Sequence, residues 1–78
     1  MILRLLDFYN ANRGNKRRLN KIDLINYLID EGLITSINRG YKVFQLIESG
    51  GKIHPGIFIK IADLMELDLN TIFKFYQL

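Results

Sequence analysis

Seventy-eight residues, 49% of them apolar, are enough for one domain spanning residues 1–78, with a core that offsets its ordering entropy. The absence of cysteine excludes disulfides and thiolate metal sites, and no apolar run approaches the ~20 residues of a membrane span. The net charge of +3 is uneven: residues 1–22 carry +5 and residues 23–78 carry −2, and a basic end of this kind points to a polyanionic partner.

From residue 1 to Asn12, Ile2, Leu5, Leu6 and Tyr9 recur at helical spacing, and Asn12-Arg13-Gly14-Asn15 is a stop. Arg4 and Asp7 interrupt the apolar start and no small-residue cleavage site follows, so this stretch does not read as a signal peptide. A soluble, cytoplasmic chain is the expectation. The basic stretch to Arg18 reads as a loop. Asn20 then reads as an N-cap, with Asp23 three residues on to complete a capping box. Ile22, Ile25, Leu28 and Ile29 give a second amphipathic helix, ended by Gly32.

Residues 36–49 carry two readings. As a helix they place Ile37, Tyr41, Phe44 and Ile47 inward and Asn38, Arg39, Lys42 and Gln45 outward, with Gly50-Gly51 as terminator. As strands, residues 41–47 are rich in β-formers, and Asn38-Arg39-Gly40 turns a hairpin back on residues 34–37. Next, His54 caps a fourth helix with Pro55 at its first position and Ile57, Phe58, Ile61, Ala62 and Met65 as its apolar stripe. Leu69, Ile72, Phe73 and Tyr76 define a short fifth helix after an Asp68 or Asn70 cap. Phe75 and Leu78 are then left outside, an apolar chain end that points to a homodimer interface. With the helical reading throughout, the expected fold is all-α, a compact arrangement of five helices.

Ile47-Glu48-Ser49-Gly50, Ile59-Lys60-Ile61-Ala62-Asp63 and Leu67-Asp68-Leu69-Asn70 with Ile72-Phe73 together resemble the lambda-repressor-like (Cro and xenobiotic-response-element type) helix-turn-helix family. About 35 residues, from Phe44 onward, carry the likeness. The first half departs from the family pattern: no Gln opens the second helix, Leu24-Ile25 and Leu28-Ile29 stand where a Leu-Ala pair is usual, and the link from Gly32 onward is longer than the family's turn.

The resemblance implies a small DNA-binding transcriptional regulator of the repressor type, binding as a dimer, with helices two and three as the reading unit. It implies base readers among Asn38, Arg39, Tyr41, Lys42 and Gln45; Asn and Gln side chains pair with adenine, and Arg or Lys with guanine, in the major groove. Arg13, Lys16, Arg17, Arg18 and Lys21 are the candidates for phosphate before the second helix, and Lys52 is a further one after the third. Two other readings stand beside this one. One is a winged-helix DNA binder, with residues 21–31 as its reader and residues 35–47 as its wing. The other is a modulator on the same fold that binds a repressor-type protein and no DNA. Catalysis is not expected: one His, no Cys and scattered acids supply neither a nucleophile–base pair nor a metal cluster, and no cofactor is implied.

Overall fold

Each amphipathic stretch folds as a helix, and polar side chains cap the starts of the last four. The computed structural model describes residues 2–52 and 54–76, without the side chains of residues 73, 75 and 76. The elements are α1 (Ile2–Asn12), α2 (Lys21–Asp30), α3 (Ile37–Glu48), α4 (Pro55–Met65) and α5 (Leu69–Tyr76). α2 starts in the expected capping box, where the Asp23 amide donates to Asn20 Oδ1 at 3.4 Å and the Asn20 amide donates to Asp23 Oδ2 at 2.9 Å. Ser36 Oγ accepts from the Arg39 amide at 3.1 Å to start α3. His54 Nδ1 accepts from the Gly56 amide at 2.9 Å to start α4, with Pro55 in its first turn as expected. Of the two candidate caps for α5, Asp68 takes the role. The Thr71 amide and hydroxyl donate to its Oδ1 at 2.8 and 2.9 Å, and these bonds hold its carboxyl below the usual carboxylate range.

The C-termini of α2 and α3 use left-handed glycines. Gly32 and Gly50, both at φ 77°, let the amide of the next residue reach back to Leu28 O at 3.0 Å and to Leu46 O at 2.7 Å. These stops separate α2 from α3 by a six-residue link, residues 31–36, which buries Ile34.

α2 packs against α1, α3 and α4, and α1 also touches α3 and α5. The stripes expected for α1 (Ile2, Leu5, Leu6, Tyr9) and α4 (Ile57, Phe58, Ile61, Ala62, Met65) are all buried. α2 buries Leu24, Ile25 and Leu28, so Leu24 takes the place expected for Ile22, which is half-buried. The loop before α2 is clamped onto α1. The Asn10 side chain donates to Leu19 O at 2.7 Å and accepts from the Leu19 amide at 2.9 Å, and Tyr9 Oη donates to Arg17 O at 3.2 Å.

Three expectations are corrected. The hairpin of the winged-helix reading is absent: residues 37–48 are helical, and no strand occurs among the described residues. The Ser36 cap and burial of one face outweigh the β-propensity of residues 41–47, because propensity is small beside tertiary packing. Second, α3 turns a different face to the core. Gly40, Val43, Phe44 and Ile47 are buried, whereas Ile37 and Tyr41 are 45% and 41% exposed. The reason is close helix approach at Gly40, where a Cβ would stand 2.7 and 2.8 Å from Ile25 Cγ2 and Cγ1 and 3.0 Å from Ile34 Cδ1. Third, Leu69 is exposed rather than in the core, while Ile72 is fully buried. Phe73, Tyr76, Phe75 and Leu78 lie outside the described side chains.

Candidate nucleic-acid interface

The outward side of α3 follows from its inward one. With Gly40, Val43, Phe44 and Ile47 buried, Asn38, Lys42 and Gln45, spaced by four and three, stand opposite them as an exposed polar stripe. Tyr41 borders this stripe on one flank, and Arg39 and Leu46 border it on the other, all three exposed.

Basic side chains lie on both flanks. On the Tyr41 side, Arg18 and Lys21 line one groove with Tyr41, and Lys21 lines a second with Tyr41 and Gln45. On the Leu46 side, Arg39, Leu46, Lys52 and His54 line a common groove. A polar helix face about 12 residues long is thus bracketed by cations from the α1–α2 loop and from the α3–α4 loop. Acids border it as well: Asp7 of α1 lines the groove shared by Arg18, Lys21 and Tyr41, and at the far end Glu48 Oε1 accepts the Ile2 amide at 2.6 Å and ties the end of α3 to the start of α1.

The basic run before α2 is divided by the fold. Arg18 and Lys21 line a groove between α1 and Tyr41 of α3. Lys16 instead pairs with Glu66, and Arg17 pairs with Asp23 at 2.8 Å beside Asp30. Arg13 donates to the Asn10 carbonyl. These are surface pairs of small energetic worth; they give Lys16 and Arg17 paired acids, while Arg18 shares its groove with Asp7 as well as with Tyr41 and Lys21. The Asp23 amide is taken by Asn20 and the Asp23 carboxylate stands at the start of α2. Attraction of an anion there therefore falls to Arg18 and Lys21 rather than to the helix end.

The chain matches no family model, no curated protein and no solved structure. Among the described residues no group of three or more His, Cys, Asp or Glu is placed to hold a metal ion, and no helix is long and apolar enough to cross a membrane.

Sequence reasoning missed two positions that shape this surface. Gly40 read as a hairpin turn, yet it seats α3 on α2; its spacing of three, four and seven from Val43, Phe44 and Ile47 is the signal that marks it as inward. Asn10 drew no reading at all, yet it ties the backbone of Leu19, next to Arg18, to α1, and nothing in its local sequence marks that role.

Proposed function

We propose that this chain is a sequence-specific duplex-DNA-binding regulator of the small repressor type, built on a lambda-repressor-like domain, acting in the cytoplasm and without catalytic activity. The observation that carries the reading is the exposed stripe Asn38, Lys42 and Gln45 on α3, bracketed by Arg18 and Lys21 on one side and Arg39 and Lys52 on the other. A helix entering the major groove has base edges ahead of it and a phosphate strand on either side, which is the same distribution of polar readers and cations. Lys42 and Gln45 read bases; Asn38 and Arg39 contact bases or phosphate; Arg18, Lys21 and Lys52 hold phosphate. Since one short helix reads few bases, the domain binds as a homodimer on two half-sites.

Binding to duplexes selected from a random pool, and to random duplexes, tests this in two ways. Gln45→Ala should weaken binding to the selected duplex by about 1–3 kcal/mol and leave random-duplex binding and melting unchanged. Arg18→Ala with Lys21→Ala should weaken both duplexes alike and flatten the log–log salt dependence by roughly one unit per lost contact, whereas Arg17→Ala, its partner Asp23 left in place, should leave the slope unchanged. Absence of any salt-dependent binding by the parent chain would sink the proposal and favour the protein-modulator reading.

A further inference from the structure

The link before α3, one side of α3 and the start of α4 meet around a cleft of about 240 Å³. Arg39 of α3 lines it together with Lys52 and His54 from the chain ahead of α4. No Asp or Glu does so, whereas the clefts that hold Lys21, Arg18 and Arg17 each include an acid: Glu48, Asp7, or Asp23 with Asp30. Among the described residues the ion pairs are made by Lys16, Arg17 and Lys60, so Arg39 and Lys52 stand together without a paired acid. His54 adds a directed donor. Its Nδ1 accepts from the Gly56 amide at 2.9 Å, which puts the proton of the neutral imidazole on Nε2.

The same cleft is apolar beneath. Ile34, Val43 and Ile57 line it and are only 5–6% exposed, so they form its floor. Leu33 and Leu46 complete the lining, and Leu46 leaves 45% of its surface open beside the cations. Cations over an apolar floor complement a molecule with one anionic end and an apolar body. A phosphate of the DNA backbone answers the cations and leaves the floor unused. The cleft also falls short of the ~300–1,000 Å³ of drug-sized sites, so its occupant is small.

We propose that this cleft binds a small amphipathic carboxylate, an organic acid whose charged end meets Arg39, Lys52 and His54 and whose short apolar body covers Ile34, Val43 and Ile57. Charge-assisted hydrogen bonds hold the carboxylate, and burial of the body adds the selectivity that charge lacks. Arg39 and Lys52 are also the cations assigned to duplex contact on this flank. Ligand and duplex therefore compete for the same charges, each weakening the other by the same factor. That competition rests on the DNA-binding reading; the site does not.

The test titrates the full chain, without DNA and at fixed ionic strength, with acetate, butyrate and hexanoate, and with hexanol and inorganic phosphate as controls. NMR shifts read position and affinity together. Hexanoate should saturate and shift the methyl signals of Ile34, Val43 and Ile57, and affinity should rise along the series by up to about fourfold per methylene buried. Hexanol and phosphate, each offering half of the recognition, should bind about tenfold more weakly or worse. Arg39→Gln with Lys52→Gln should weaken hexanoate about tenfold and melt with the parent, because both side chains are exposed. Binding of phosphate or hexanol as tight as that of hexanoate overturns the proposal, as do shifts that fail to saturate or that spare the three floor methyls. In a second arm, hexanoate should weaken selected-duplex binding by the parent more than acetate does at equal ionic strength. Duplex binding untouched by saturating hexanoate overturns the competition. A parent chain that binds hexanoate but no duplex keeps the site and loses the DNA-binding reading.

Discussion

Phe44→Ala is expected to destabilise the domain by about 3–5 kcal/mol, the usual cost of removing a fully buried aromatic ring. Phe44 is 1% exposed, one of the largest fully buried side chains, and its helix touches both α1 and α2. α1 and α2 bring fully buried Leu5, Leu24 and Ile25 to the core on which this helix packs, so little of the cavity can collapse. A chain of this length holds roughly 4–12 kcal/mol in total, so the loss takes away a large fraction of it. Thermal unfolding followed by far-UV dichroism should show the midpoint fall by more than about 12 °C. Lys42→Ala, made on the opposite face of the same helix, should stay within about 0.5 kcal/mol of the parent. A loss below about 1 kcal/mol for Phe44→Ala would mean that α3 is not seated on the core through this ring, and the outward stripe Asn38, Lys42 and Gln45 would lose its basis.

Legibility in the sequence tracked how local each signal was. The helices α1 and α4 announce themselves because every buried position carries a large apolar side chain at helical spacing, and the Asn20–Asp23 box and the His54 cap are complete within three residues of chain. α3 is harder because its inward face includes a residue with no side chain. Ranking positions by hydrophobicity prefers Ile37 and Tyr41 to Gly40, and so turns the helix to the wrong side. Helix approach ranks them differently, since the smallest residue permits the closest packing against Ile25. The same error placed Tyr41 on the inward stripe as well as among the candidate readers, and its exposure removes it from the first. The division of the basic loop was out of reach for another reason. Lys16 meets Glu66 across 50 residues of chain, and only the tertiary fold brings that acid to it.

The position that separates the helical reading from its rivals most sharply is also the one with an inverted sign. In an isolated helix, Gly40→Ala would be stabilising by about 1 kcal/mol, because alanine loses less backbone entropy. Here the added Cβ would lie 2.7 and 2.8 Å from Ile25 Cγ2 and Cγ1, inside any real carbon–carbon contact, and 3.0 Å from Ile34 Cδ1. Ile25 is fully buried, and the two nearest atoms branch directly from its Cβ, so it cannot swing aside without moving α2. Overpacking of this kind costs about 1–3 kcal/mol, so Gly40→Ala should be destabilising on balance. Gly40→Leu, with four added carbons, should lie at or beyond the top of that range. Removing the obstacle should restore the sign. In an Ile25→Ala background, itself destabilised by about 2–5 kcal/mol, Gly40→Ala should become neutral or stabilising, and the cycle should show a coupling of at least about 1 kcal/mol. Urea unfolding of the four variants measures this directly. A Gly40→Ala chain as stable as the parent, with no coupling to Ile25, would mean that α2 and α3 do not meet at this point. Binding adds a second readout. If α3 yields by sliding away from α2, Tyr41, Lys42 and Gln45 move with it relative to Arg18 and Lys21. Gly40→Ala should then lose selected-duplex binding even at temperatures where it remains folded, while its random-duplex binding persists.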